Sequence, residues 1–274
     1  MERFLKKRNG VLVVLCLLLL SLVLVVTLQE TKNAHGMDNK ADLGKKVYEI
    51  RCLICHGLKG DGKGLVENMR RVEKSGRVME IYPKDFSGGV FKFRTTRTGC
   101  LPTDEDLLRT IEDGIKRSFM PSHKDIPLEE REAVKEHIKT FSERWQEKEY
   151  EEEHCDESIA AKKPEWVGTL ASNEKGKKQY ERMKCGECHG DKGKGDGPKS
   201  VELKDDKGNK ILPFDFTAGA LKRGSSPENI YLTFSTGLDG SPMPSYEETL
   251  PEEENRWHLV SYTLALMKLK GRDN

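Results

Sequence analysis

The string Cys-x-x-Cys-His occurs twice in this 274-residue chain, as Cys52-Leu-Ile-Cys55-His56 and as Cys185-Gly-Glu-Cys188-His189. Two thiols one helical turn apart can add across both vinyl groups of one porphyrin, and the adjacent His then lies where its imidazole reaches the iron. The pentapeptide is the attachment signature of c-type haem. Each copy therefore has to fold around a flat apolar macrocycle. Redox dithiols and zinc ribbons also use Cys-x-x-Cys. Neither explains a His directly after each pair, and the pairs of a zinc ribbon usually lie much closer in sequence.

The two strings are 133 positions apart, and the similarity around them extends further. Gly44-Lys-Lys-Val-Tyr48 matches Gly176-Lys-Lys-Gln-Tyr180, and Lys59-Gly-Asp-Gly-Lys-Gly64 matches Lys192-Gly-Lys-Gly-Asp-Gly197. Pro83-Lys-Asp-Phe-Ser87 and Pro213-Phe-Asp-Phe-Thr217 follow at an offset of 130, then Met120-Pro121-Ser122 and Met243-Pro244-Ser245 at 123. Loop deletions in the second copy produce such a stepwise shrinkage, so the chain holds a duplicated domain.

Each copy reads as a small helical unit. The first helices are expected over about 41–51 and 173–184, with Gly and Tyr four apart on one face. Gly at that place permits another helix to approach closely. The middle helix of copy 1 is expected over 104–113, between the N-cap Thr103 and the stop Gly114. In copy 2 Ser226, Pro227 and Gly237 give the same punctuation. The last helices are expected over about 128–144 and 251–269, the second with Trp257, Val260, Leu264 and Met267 as an apolar stripe.

A Gly/Tyr helix, Cys-x-x-Cys-His, a Gly-rich turn, a Met-Pro loop and an amphipathic terminal helix, in that order, resemble a class I cytochrome c. The resemblance covers about 41–145 and 172–269. It implies an all-α fold of two tandem class I cytochrome c-like domains whose first and last helices cross. It also implies two covalently attached haem c groups held by Cys52, Cys55, Cys185 and Cys188. One departure stands out: His137 on the terminal helix of copy 1 takes the place of Tyr262.

The motif makes His56 and His189 the proximal iron ligands. For the sixth position, Met is a soft thioether that favours ferrous iron and suits outer-sphere electron transfer. Of the eight Met in the chain, Met120 and Met243 alone share the Gly-x5-Met-Pro frame of the repeat. A Pro after the Met stiffens its loop. Both are assigned as distal ligands, while Met69, Met79 and Met183 read as packing residues. His123 follows Met120 by three where copy 2 has Tyr246; it is a competing ligand or a surface or propionate-contacting His. Phe86 and Phe216 are expected on the porphyrin or in the ordinary core. Arg94, Arg97, Lys222 and Arg223 are candidates for the haem propionates or for a solvated basic face.

Positions 11–28 are apolar except for Cys16, Ser21 and Thr27, long enough as a helix (roughly 27 Å) to span the hydrocarbon of a membrane. Arg3, Lys6, Lys7 and Arg8 precede the run, which keeps the N-terminus cytoplasmic and sends the rest outside. A cleaved signal would have a shorter run and a small-residue site, which Thr27-Leu28-Gln29-Glu30 lacks. The expected organisation is an N-terminal transmembrane anchor at 1–30, domain 1 at 31–146, an acidic linker at 147–171 and domain 2 at 172–274. The linker, with seven acidic residues in 147–157, reads as a solvated connector, and alternatively as a docking patch. Cys100 and Cys155 are spare thiols that an oxidising compartment could join.

Charged residues make up 34% of the chain and hydrophobic ones 35%, much of the latter spent in the N-terminal run. A small apolar core suits domains that each wrap a porphyrin. The net charge of +1 gives no reason to expect nucleic acid. The chain reads as a membrane-tethered dihaem cytochrome on the periplasmic side of the inner membrane. It would relay single electrons between redox-partner proteins, or serve as a subunit of a respiratory complex, with no small-molecule substrate and no catalytic residue. The rival is a dihaem enzyme, such as a peroxidase or a sulfur-compound dehydrogenase, with an exchangeable ligand at haem 1.

Overall fold

The computed structural model describes residues 39–73, 76–146, 155 and 157–268. The apolar run expected as an anchor and most of the acidic stretch 147–156 lie outside the described residues. Among the described residues no helix is long and apolar enough to cross a membrane.

Domain 1 opens with α1 through residues 39–51 and α2 (Leu53–His56), then a hairpin of β1 (Met69–Val72) and β2 (Val78–Ile81). It closes with α3 (Asp104–Asp113), α4 (Leu128–Lys139) and a short 3-10 turn at Glu143–Trp145. Domain 2 repeats the frame with α5 (Leu170–Arg182), α6 (Gly186–His189), α7 (Pro227–Thr236) and α8 (Glu253–Lys268).

The caps fall where the sequence put them. Thr103 and Asp106 form a reciprocal capping box at α3, and Ser226 caps α7 ahead of Pro227. Thr169 caps α5, which starts at Leu170, three residues ahead of the expected start. The last helix of domain 1 stops earlier than expected, at Thr140, and Ser142 starts the separate 3-10 turn. The first and last helices cross in both domains, and glycine makes the crossing possible. A Cβ on Gly44 would lie 2.2 Å from the Ala133 carbonyl oxygen; one on Gly176 would lie 1.9 Å from that of His258. Helix backbones meet there with no room for a side chain. His137 does not spoil this packing: its ring sits 5.2 Å from that of Tyr48 and 5.1 Å from that of Phe141, while Tyr180 faces Tyr262 at 5.3 Å.

Three features depart from the expectation. The fold is predominantly rather than wholly helical, because β1 and β2 pair antiparallel with Met69 opposite Ile81 and Val72 opposite Val78. A smaller counterpart in domain 2 is bridged by Lys204 and Lys210. The end of the supposed linker is packed rather than solvated: Ile159, Ala161, Trp166 and Val167 lie against the domain 2 core, and Ile159 N–H donates to Thr95 of domain 1 at 2.8 Å. The linker is also pinned by a disulfide between Cys100 and Cys155. Charge alone marked this segment as solvated, and its few apolar residues decide otherwise.

The two domains are locked together. The Arg94 side chain is 0% exposed; it donates to Thr236 carbonyl and Asp239 carboxylate across the interface, both at 2.7 Å. Its other donors go to the Phe91 and Arg97 carbonyls, each at 2.9 Å. Thr98 Oγ1 and Gly99 N–H complete the cage around Asp239.

Candidate haem sites

The chain enters each Cys-x-x-Cys-His turn from the helix before it. Cys52 N–H donates to Tyr48 carbonyl at 2.8 Å and Cys185 N–H to Tyr180 carbonyl at 3.0 Å. One turn later His56 and His189 each donate back to the first Cys at 2.9 Å. Gly57 and Gly190, at φ 77° and 74°, then end the turn in a conformation that L side chains avoid. Their carbonyls are held by the Tyr48 and Tyr180 hydroxyls, both at 2.7 Å. The repeated Gly/Tyr pairs therefore do two jobs: Gly admits the terminal helix, and Tyr fixes the residue after the His.

Both imidazoles are oriented by backbone. His56 Nδ1 lies 2.9 Å from Lys84 carbonyl oxygen and His189 Nδ1 lies 3.2 Å from Phe214 carbonyl oxygen. A carbonyl only accepts, so Nδ1 carries the proton and Nε2 keeps a free lone pair, the tautomer an iron ligand needs. Burial pushes both imidazoles below their ordinary pKa, which further favours the neutral, ligating form. Phe86 and Phe216 stack on these imidazoles at 4.5 and 4.7 Å. The Pro-x-Asp-Phe turns thus form the proximal support: one residue supplies the carbonyl and the next but one supplies the ring.

Burial raises the thiols of Cys52 and Cys185 to about 11. A redox dithiol needs the opposite shift. Among the described residues no three His, Cys, Asp or Glu converge as metal ligands, so the two Cys pairs do not build a zinc ribbon.

The Met loops repeat bond for bond. Ile115 N–H donates to Met120 carbonyl at 3.1 Å, and Leu238 N–H to Met243 carbonyl at 3.0 Å. Ser118 and Ser241 hydroxyls accept the Met N–H groups. The N–H groups of His123 and Tyr246 occupy one backbone slot, donating to Ile111 and Phe234 carbonyls, but Tyr246 is buried in the domain 2 core with Cys185. His123 lies within electrostatic reach of His56.

In domain 2 these parts share one cavity of about 1210 Å³, lined by Cys185, Cys188, His189 and Met243. Ordinary small-molecule pockets hold roughly 300–1,000 Å³. Its fit to a haem is tested by its charges. Lys222, on the cavity wall, is pushed down to about 8 by burial, and Arg223 beside it to about 9. Arg223 Nη1 donates to the Arg94 carbonyl at 2.8 Å and Nη2 has the Asp106 carboxylate no nearer than 3.9 Å, while Nε and Nη2 are buried with no hydrogen-bond partner. Buried cations with unspent donors call for an anionic group, which the propionates of a porphyrin are. Arg94 and Arg97, the other propionate candidates, are engaged elsewhere: Arg94 in the interface, Arg97 with Glu157 and Glu247.

Sequence reasoning missed the part of this cavity that domain 1 supplies: Arg77, Val78, Met79, Lys92 and Phe93 stand in its wall. Arg77 donates to the carbonyls of Lys194, Gly195 and Pro213 at 2.7, 2.9 and 3.0 Å. Arg117, in the domain 1 Met loop, lies 4.3 Å over the Phe214 ring and pairs with Glu73. No local pattern announces contacts between residues so distant in sequence.

Comparison with known proteins agrees with this geometry. Residues 173–266 match the family Cytochrome c, and residues 39–138 match Cytochrome C oxidase, cbb3-type, subunit III. The chain belongs to the c-type cytochromes, with two cytochrome c domains that imply covalently bound haem c. It is similar to a chain of a solved complex, the Kuenenia stuttgartiensis reducing HAO-like protein complex Kustc0457/Kustc0458. The two are 42% identical, with a TM-score of 0.72, over 82% of this chain and 95% of that one. A search of curated proteins finds no match.

Proposed function

We propose that the chain is a dihaem electron carrier in which Cys52, Cys55 and His56 hold one haem and Cys185, Cys188 and His189 the other. Met120 and Met243 supply the sixth ligands. The carrying observation is the pair of Nδ1–carbonyl bonds, which leave Nε2 of each His free one residue after a Cys pair. Each bound haem would supply a one-electron Fe(III)/Fe(II) couple. The protein's part is to fix the imidazoles, hold the thioether loops shut and exclude water, which suits a carrier rather than a substrate-binding enzyme.

Residues 1–30 fit a membrane anchor that leaves both domains on the periplasmic face. The similarity to a chain of a protein complex supports a role as a subunit that exchanges electrons with partner proteins, and the family match of domain 1 supports a respiratory setting.

The test uses the full chain produced with haem-attachment machinery. An alkaline pyridine spectrum should count two haems per chain, and the oxidised protein should show the weak far-red thioether–iron band. Carbon monoxide should leave the reduced spectrum unchanged. Ready binding of carbon monoxide or peroxide at one haem refutes the carrier reading and favours the enzyme. Haem recovered in the soluble fraction, on a chain lacking residues 1–30, refutes the anchor.

A further inference from the structure

Two hairpin tips cross the domain boundary in opposite directions. The tips close with the same bonds: Glu73 N–H to Arg77 carbonyl with Gly76 N–H to Glu73 carbonyl, and Asp205 N–H to Asn209 carbonyl with Gly208 N–H to Asp205 carbonyl. From the first tip Arg77 reaches the Pro213 carbonyl, next to the Phe214 carbonyl that holds His189. From the second tip Lys207 pairs with Asp85, next to the Lys84 carbonyl that holds His56. Arg77 also grips the Lys194 and Gly195 carbonyls, and Gly195 N–H donates to His189 carbonyl at 2.7 Å. Each proximal loop is therefore fixed by a cation from the other domain.

We infer that Arg77 and Lys207 are positioning residues acting in trans, so that each domain sets the reduction potential of its neighbour's haem. The inference rests on His56 and His189 being the iron ligands, as proposed above. The physical case has two parts. A carbonyl that accepts from Nδ1–H strengthens the imidazole as a donor to oxidised iron, and loop geometry sets how well it accepts. A cation beside that loop opposes the extra positive charge of ferric iron. The two effects oppose each other: losing the hold on the loop favours the reduced state, and losing the charge favours the oxidised state. A Gln in place of either cation keeps a neutral donor for the loop and removes the charge, so it should favour the oxidised state of one haem. Arg77 meets only carbonyls there, whereas Lys207 faces a carboxylate and is 49% exposed, so solvent screens it more.

The experiment is a potentiometric titration of the full-length holoprotein, resolved into two one-electron components. Arg77→Gln should lower one component alone, by about threefold to tenfold in its Fe(III)/Fe(II) equilibrium, roughly 28–59 mV at about 59 mV per decade. Lys207→Gln should lower the other component alone, by a smaller factor. If R77Q loads haem incompletely, Arg77→Asn, also a neutral donor, carries the same expectation. Unchanged potentials, equal movement of both components, or both variants moving the same component overturn the inference. A wild-type protein without two haems, or without two one-electron components, would instead sink the carrier reading itself.

Discussion

Domain 1 and domain 2 share a frame but are held by different forces. The domain 2 core gathers 12 buried apolar residues, among them Tyr231 and Trp257 stacked at 4.2 Å. The domain 1 core gathers 7, and polar ties run around it. Lys135 bridges Asp104 and Glu136, Lys139 bridges the same two, and Arg131 pairs with Glu112, tying α4 to the α3 region. The Cys100–Cys155 disulfide adds a covalent tie on the domain 1 side only. The frame fixes where each haem sits; what stabilises the frame is open to substitution.

This contrast can be tested, beginning with the contact that neither domain owns. Arg94→Ala strips Asp239 of its guanidinium partner at the interface and should cost about 3–5 kcal/mol in denaturant unfolding. Asp239→Asn in the same background should recover part of that loss, and a full additive loss would show that the charge pair is not the cause. Next is the disulfide. It spans 55 residues, and Cys155→Ser should cost about 2–4 kcal/mol. An unfolding midpoint unmoved by the substitution would mean the tie is dispensable and domain 1 is sustained otherwise.

Gly176→Ala and Gly44→Ala should each cost about 1–3 kcal/mol by forcing the crossed helices apart, with the first the larger because its Cβ would come closer to backbone. The reverse order would mean that α8 yields more easily than α4. Tyr48→Phe and Tyr180→Phe each remove one buried hydroxyl bond of 2.7 Å and should cost about 1 kcal/mol, equally in both domains. A marked inequality would show that the repeat is not symmetric at this joint.

The smallest effect is with pH. Burial holds His137 and His258 below the ordinary imidazole value. The unfolded chain therefore takes up protons first as pH falls through about 6.5, and stability declines with acidification. His258→Gln should flatten the decline measured between neutral and mildly acidic pH, provided the Ser172 hydrogen bond is kept. A slope that steepens instead would put the titrating group elsewhere.

Much of the helical frame and the repeated order of haem-binding parts could be read from the chain itself. Thr103, Ser226, Gly114 and Gly237 act through local backbone bonds, so their meaning is visible at short range. Tyr48 and Tyr180 were visible as a repeated pair, although their bond to the glycine after each His was not. Phe86 and Phe216 read as porphyrin contacts or ordinary core; both are buried in their domain cores and also stack on the imidazoles, because each follows the carbonyl-supplying residue by two. Arg94 looked like a propionate partner because it is basic and follows the right turn, yet its guanidinium is spent on Asp239. Contacts such as Arg77 to Pro213 join residues 136 apart and have no periodicity to betray them.

The domain 1 wall of the domain 2 cavity bears on divisibility. A tandem duplication begins as two separable modules, each able to survive a cut between them. Here Val78 and Met79 close a cavity that belongs to the other copy, and Arg94 buries its charge against the other copy's Thr236 carbonyl and Asp239 carboxylate. Severing the connection would leave an open apolar cleft on one half and an uncompensated guanidinium on the other. The two halves have become one inheritable unit, in which a change in either is read by both.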